Sequence, residues 1–482
     1  MTIDAAFPSA LPSVLIDRFI AIVGSDHALR APSDLAFHGT EQRGLYHTPP
    51  ALVLKPGSVE EIAAILKLAS ETGTTIVPQG GNTGLVGGQV PLAGRTGSVI
   101  LSLARLNRVL DVDAVGNTIT VEAGAVLQSV QEAADQAGRL FPLSLGSEGS
   151  CQIGGNLSSN AGGTAVLAYG NMRQLCLGLE VVLPTGEVWT ALRRLKKDNT
   201  GYDLRDLFIG AEGTLGVITK AVLRLFPKPA GHEVIVAGVA SPADALALFR
   251  QAERICGPAL TGFELMPRIG IEFTARHIDG VRDPLAESHP WYVLVDISSS
   301  HSGEAAKALA ETVFTTGFEE NLIRDAVLAQ NETQARAFWT MRESLSWAQK
   351  PEGGSIKHDV SVPIASVPDF IARADQAVLA AIPGARIVAF GHIGDGNIHF
   401  NISQPIGADK ETFLARWHEM NALVHAIVLD LGGSISAEHG IGQLKRDELA
   451  GIRQPIEIDL MRRIKRAFDP AGIMNPGKVV QS

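Results

Sequence analysis

The chain is 482 residues long, 45% apolar, and carries 51 Asp and Glu against 41 Lys and Arg, a formal net charge of −10. That length and apolar content suit two or three globular domains with more than one buried core. The acidic balance, with no Lys/Arg cluster interleaved with aromatics, excludes nucleic acid as an expected partner.

Three cysteines, Cys151, Cys176 and Cys256, without a Cys-x-x-Cys pair, offer neither a disulfide framework nor a thiolate zinc or iron–sulfur site, which points to a reduced, cytoplasmic protein. Residues 1–44 predict a short helical lead-in, with Leu15, Phe19, Ile20 and Val23 at helical spacing. Asp4, Asp17 and Arg18 give this stretch the form of neither a signal nor a transit peptide. No run reaches the roughly 18 apolar residues of a membrane span.

From Ala51 the pattern becomes strand (Ala51–Leu54), Lys-Pro-Gly turn, helix (Val59–Thr72, capped by Ser58 and stopped by Gly73) and strand (Thr75–Val77). This β-α-β unit delivers a loop at a strand end, where cofactors commonly bind. The loop is VPQGGNTGLVGGQVP, Val77–Pro91. Gly80, Gly81, Gly84, Gly87 and Gly88 let its backbone turn sharply and aim several N–H groups at one anion. The spacing matches neither the dinucleotide fingerprint nor a phosphate loop, and by itself fits an ordinary glycine-rich turn equally well. Gly472–Lys478 comes close to a phosphate loop, but Val479 stands where a hydroxyl is required, so it is set aside.

Strand Ser98–Leu101, a hairpin around Val115–Asn117, strand Thr118–Glu122 and a helix over 125–137 follow. A second glycine-dense stretch, Gly146 to Gly163, is expected to be a long packed loop, with Ile153, Leu157 and Val166 as its apolar anchors. A third, GAEGTLGVI from Gly210 to Ile218, precedes strand Thr219–Leu225. Three close-approach loops in one region suit an extended cofactor better than a single phosphate, and point to a flavin dinucleotide.

Residues 45–228, with PQGGNTGLVGG, IGGNLSSNAGG and GAEGTLGVIT, resemble the FAD-binding domain of the vanillyl-alcohol-oxidase-type flavoproteins. The remainder is similar to the FAD-linked D-2-hydroxyacid dehydrogenases of that superfamily. The resemblance implies an α+β protein: a two-part FAD-binding domain plus a substrate (cap) domain with antiparallel sheet and helices. Expected divisions are 1–44 (helical), 45–228 (FAD-binding), 229–435 (substrate) and 436–482 (a segment returning to the flavin). On this resemblance FAD would be held by Pro78, Gly80, Gly81, Asn82, Thr83, Gly84, Leu85, Gly146, Ser147, Ser150, Gly154, Gly155, Asn156, Ser159, Asn160, Gly162, Gly163, Gly213, Gly216, Ile218 and Asn475. Asn82 stands where some relatives attach flavin covalently through His, so the FAD is expected to be non-covalent.

From about residue 230, strand Glu233–Gly238, helix Pro242–Ile255, strand Trp291–Ile297 and helix Glu304–Thr316 suggest an antiparallel sheet with helices on one face. The most informative stretch is FGHIGDGNIHFNIS, Phe390–Ser403. With Asp395-Gly396 as central turn residues, His392 pairs with His399 and the two imidazoles share a face, close enough to ligate one metal. Asn401 falls on that face, while Phe400 and Ile402 point to the core. SAEHGIG, Ser436–Gly442, adds Glu438 and His439 after an apolar helix over 419–431. Two imidazoles and a carboxylate suit a catalytic divalent metal: zinc, manganese or cobalt. His418 and His425 on that helix lack the second His of a zinc-protease motif and are expected to be surface or packing residues.

The resemblance implies His392, His399 and Glu438 as metal ligands, and Asn401 and His439 as substrate-contact or acid/base residues. It further matches Arg342, Ser346 and Lys357 to substrate-carboxylate positions, with Ser346 where relatives favour Thr. Arg342 and Ser346 are four apart on a helix expected over 332–349 and should face one way. Arg336 and Lys350 are expected to be solvated. Two cations besides a metal favour a dicarboxylate, so the expected reaction is oxidation of D-2-hydroxyglutarate to 2-oxoglutarate, with D-lactate or D-malate as alternatives. A flavin electron-transfer subunit of a larger complex is the alternative of another class. The resemblance also implies electron-transfer flavoprotein or a quinone-linked carrier as acceptor, and a homodimer.

Overall fold

The computed structural model describes residues 11–95 and 97–481. These form two compact units. One takes in the chain up to Gly162, Asn171–Pro227 and the stretch from Glu438 onward; the other takes in Gly163–Gly170 and Lys228–Ala437. No described helix is long and apolar enough to cross a membrane.

In the first unit, β1 (Leu52–Leu54), α1 (Val59–Thr72), β2 (Ile76–Gln79) and β3 (Val99–Ser102) form the predicted β-α-β arrangement. The strands pair in parallel in the order β1-β3-β2, with Ala28–Leu29 antiparallel along the outer edge of β1. The local signals act as read: Ser58 Oγ accepts the Glu61 N–H at 3.2 Å, and Gly73 closes α1 in the left-handed region at φ 66°. A second sheet of β4 (Val109–Asp113), β5 (Thr118–Glu122), β6 (Cys176–Val182), β7 (Val188–Ala191) and β8 (Val217–Arg224) is antiparallel throughout, in the order β4-β5-β8-β6-β7.

The second glycine stretch differs from expectation. Instead of being irregular throughout it holds helix α2 (Ile153–Ser158), because Ile153 and Leu157, four apart, both reach the core with no exposure. Gly154 sits where a Cβ would stand 2.9 Å from the Ala123 Cβ, so only glycine lets this helix lie so close to the chain after β5.

The C-terminal part of this unit ties the glycine loops together. On helix Pro455–Phe468, Lys465 Nζ donates to the Thr214 and Met474 carbonyls at 2.7 and 2.6 Å. Asn475 Nδ2 donates to the carbonyls of Gly88 and Glu212, both at 2.8 Å, and Lys478 Nζ to those of Gly87 and Val90, both at 2.6 Å. The segment that comes close to a phosphate loop in sequence is therefore a clasp between the first and third loops.

The second unit is built on one seven-stranded antiparallel sheet: β9 (Gly231–Val239), β10 (Leu260–Pro267), β11 (Trp291–Ser299), β12 (Asp325–Leu328), β13 (Ser355–Ser361), β14 (Arg386–His392) and β15 (Asn397–Ser403), in the order β12-β9-β11-β10-β14-β15-β13. Helices lie on both faces rather than one. Helices α3 (Pro242–Cys256), α5 (Gly303–Glu319), α8 (Val367–Ala381) and α9 (Trp417–Asp430) pack on one core, and α4 (Arg268–His277), α6 (Glu332–Glu343) and α7 (Leu345–Ala348) on another. The reason lies in strands such as β11, where Val293 and Val295 feed the first core while Tyr292 and Leu294 feed the second.

One strand is new and two further expectations are corrected. Strand β10 carries no polar alternation and is not predicted, since all eight of its residues are buried. The helix expected over 332–349 breaks at Ser344, so Arg342 and Ser346 lie on separate helices, α6 and α7. The β14–β15 connection is four residues long, Ile393 to Gly396. Here the His392 carbonyl accepts from the N–H groups of Asp395 and Gly396, at 3.2 and 3.1 Å. His392 therefore pairs with Asn397, and His399 with Phe390. That register differs from the expected one by two residues, and because side chains alternate with period two, both histidines keep the same face.

Candidate functional site

The three glycine loops of the first unit line one cleft that encloses about 850 Å³ of space, part of it open solvent. Of the expected FAD residues, Pro78, Gly80, Gly81, Asn82, Thr83, Gly84, Gly154, Gly155, Asn156, Ser159, Gly213, Gly216 and Ile218 line it; Leu85, Gly146, Ser147, Ser150, Asn160, Gly162, Gly163 and Asn475 do not. Gln79, Gln152, Ser158, Glu212 and His439 also line it, and glycine spacing gave no signal for them. Gly163 belongs to the second unit.

The close approach of the loops depends on glycine at two places. A Cβ on Gly81 would stand 2.0 Å from the Ser150 carbonyl oxygen, and one on Gly213, at φ +69°, would stand 3.1 Å from the Pro78 ring. Among the described residues no group accepts from the backbone N–H of Asn82, Thr83 or Gly84, so three successive donors in a cleft-lining loop are left for a ligand. A pyrophosphate fits that cradle. Behind it, burial pushes the Glu212 carboxyl up, although the carboxylate accepts from the N–H groups of Ile441 and Gly442 at 2.7 and 2.8 Å; burial also pulls Lys478 down to about 7.

In the second unit the strand register collects the remaining candidates on one sheet face. Three cross-strand rows run Lys357–Asn401–Val388, Asp359–His399–Phe390 and Ser361–Asn397–His392–Glu264. The same face carries the second core at its Val388–Phe390 end, and gives way to polar groups toward β13. The imidazoles of His392 and His399 have ring centroids 5.8 Å apart and planes at 76°. His392 Nδ1 lies 2.6 Å from Glu264 Oε1, and His399 Nδ1 is 3.8 Å from Asp359 Oδ1. Asp359 is held in turn by the Asn397 amide at 3.0 Å.

Arg342, 6% exposed, donates from Nε to Glu264 Oε2 at 2.7 Å and lies over the Phe390 ring. Burial alone would raise the Glu264 carboxyl, but the charges of Arg342 and His392 and their hydrogen bonds bring it down to about 2. Lys357 Nζ donates to the Ser346 backbone carbonyl at 3.1 Å, so Ser346 joins the group through its main chain. His418 is exposed, and His425 packs edge-to-face on His358 in the core at 5.5 Å. Glu264 is the residue sequence reasoning missed, because its strand was missed.

The second unit ends at Ala437, whose N–H donates to the Asp359 carbonyl at 3.3 Å; Asp359 is the residue across from His399. Glu438 and His439 follow, half-buried, as the first residues of the returning segment of the first unit. Two imidazoles on one face, His392 with a carboxylate at hydrogen-bond distance from Nδ1 and His399 with one 3.8 Å away, are a donor set that fits a borderline divalent cation.

Two family models match this chain: an FAD binding domain over residues 50–192, and the C-terminal domain of FAD linked oxidases over 228–479. The D-2-hydroxyglutarate dehydrogenase of Xanthomonas citri pv. viticola is 38% identical over 471 residues, 96% of this chain and 97% of that one. The D-2-hydroxyglutarate–pyruvate transhydrogenase of Saccharomyces cerevisiae is 35% identical over 471 residues, covering 96% and 93%. Among solved structures, an alkyldihydroxyacetonephosphate synthase superposes with a TM-score of 0.75 at 19% identity, covering 99% of this chain and 88% of that one, a likeness of fold.

Proposed function

This chain belongs to the FAD-linked oxidase family, and from that premise we propose that it is an FAD- and metal-dependent dehydrogenase that oxidises a D-2-hydroxyacid, foremost D-2-hydroxyglutarate, to the 2-oxoacid. The observation that carries the reading is the sheet face on which His392, His399, Asn401 and Lys357 converge by register alone. In this reading His392, His399 and Glu438 hold the cation, and the glycine-lined cleft holds non-covalent FAD. Bound there, FAD would supply a two-electron acceptor for the hydride lost from C2, and a cation would supply Lewis acidity toward the substrate's oxygens.

The protein's own groups do the rest. His439, an imidazole on the wall of the FAD cleft, accepts the hydroxyl proton. Asn401 orients the substrate through its amide. The Lys357 ammonium pairs with the distal carboxylate, and Arg342, with Nε committed to Glu264, offers its terminal nitrogens to a substrate anion. Two cations exceed what a monocarboxylate needs, hence the preference for 2-hydroxyglutarate over lactate. Electrons then leave for a protein or quinone-linked acceptor.

Anaerobic addition of D-2-hydroxyglutarate should bleach the visible absorbance of bound flavin. Chelator should abolish the bleaching, and zinc, manganese or cobalt restore it. Bleaching with D-lactate alone would change the substrate; bleaching indifferent to chelator would remove the metal. Denaturation should release the flavin into solution, and flavin retained on the precipitated chain would overturn the non-covalent reading at Asn82.

A further inference from the structure

Strand β10 carries a polar residue that no motif announces. Glu264 is completely buried, in cross-strand register with His392, and its two oxygens serve different partners: Oε1 is 2.6 Å from His392 Nδ1 and Oε2 is 2.7 Å from Arg342 Nε. A guanidinium can only donate, so Oε2 accepts; a carboxylate accepts at its other oxygen too, so Nδ1 of His392 carries the hydrogen, and in the neutral imidazole, the form that binds a cation, Nε2 keeps its lone pair.

We propose that Glu264 is the positioning residue of this site, holding His392 in the Nδ1–H tautomer with Nε2 presented to a divalent cation, and fixing the Arg342 guanidinium with its other oxygen. This rests on the reading of His392 as a metal ligand. One carboxylate thereby sets both the cation side and the anion-binding side, so the two cannot drift apart. Stability alone is a poor reason for such a group, since a buried ion pair commonly contributes no more than apolar residues of the same volume. The division of its oxygens between an imidazole and a guanidinium is explained by orientation.

Glu264→Gln keeps the size and changes the logic. The amide oxygen must face the Arg342 donor, which leaves the NH2 toward His392 Nδ1; that nitrogen must then accept, and the hydrogen moves to Nε2, the atom a cation needs. The test uses the flavin-bound protein stripped of metal and titrated with zinc against a chromogenic chelator. Zinc should bind the Gln variant roughly 10–100-fold more weakly than wild type. Flavin absorbance should be unchanged, and Glu264→Asp, which keeps the carboxylate, should recover most of the loss. Wild-type protein that takes up no zinc would sink the functional reading itself; wild type and the Gln variant binding zinc equally well would sink only this inference. Long-range 1H–15N spectra of histidine-labelled, metal-free wild type, with His392 assigned through His392→Gln, read the tautomer directly. A hydrogen on Nδ1 supports the proposal, and one on Nε2 overturns it whether or not the Gln variant folds.

Discussion

Gly81→Ala should weaken FAD binding through one methyl group. Gly81 is not among the residues at positive φ, so alanine costs nothing in backbone conformation and the effect is steric. The added Cβ would stand 2.0 Å from the Ser150 carbonyl oxygen and 3.1 Å from the Cys151 Cα, both backbone atoms that no rotamer change can move. Restoring an ordinary carbon–oxygen contact of about 3.3 Å requires the first and second loops to part by about 1.3 Å. That displacement carries the unpartnered N–H groups of Asn82, Thr83 and Gly84 away from where a pyrophosphate would meet them. Overpacking of this kind costs about 1–3 kcal/mol, and if the cost falls on the closed, FAD-bound form the affinity drops roughly 5- to 150-fold. Gly146→Ala is the matched control: a Cβ there meets nothing within 4 Å, and Gly146 does not line the cleft. FAD titration of deflavinated protein, followed by quenching of flavin fluorescence, measures both. Gly81→Ala binding FAD as tightly as wild type, or Gly146→Ala losing it equally, would refute the packing argument.

Lys357→Ala should raise KM for D-2-hydroxyglutarate by roughly 10–100-fold, the worth of one charged hydrogen bond, while leaving KM for D-lactate nearly unchanged; equal effects in steady-state assays would remove Lys357 from the distal carboxylate. Glu352 accepts from Arg276 at 2.7 Å and His277 at 2.6 Å and pairs with Arg386; burial alone would raise its carboxyl, but these hydrogen bonds hold it at about 2. A depressed carboxyl stabilises the fold above its unfolded pKa and loses that contribution as pH falls toward the folded value. Glu352→Gln should therefore cost on the order of 2 kcal/mol at pH 7, and less with each step from about pH 4.5 downward. Denaturant unfolding at several pH values reads this, and a penalty independent of pH would overturn it.

Much of the fold was legible because its signals are local. Ser58 and Gly73 bound α1 in sequence as in space, and the β-α-β unit brings its glycine loop to a strand end. The convergence of the three glycine stretches could be read as one extended ligand site, and two imidazoles spaced seven apart around a turn signalled a shared face whichever even register the hairpin took. What local signals could not decide were the matters fixed by partners distant in sequence. The turn length between β14 and β15 follows from the pairing of the whole strands, so Asp395-Gly396 misled by two residues. The role of Lys478 is set by carbonyls nearly four hundred positions away, at Gly87 and Val90. Glu264 stood in a strand buried on both faces, where apolar neighbours hide any alternation, and its meaning arises only when the sheet sets it across from His392 and beneath Arg342. Residue types and short-range periodicity determined which groups were available; the pairing of distant strands decided which of them could act on one another.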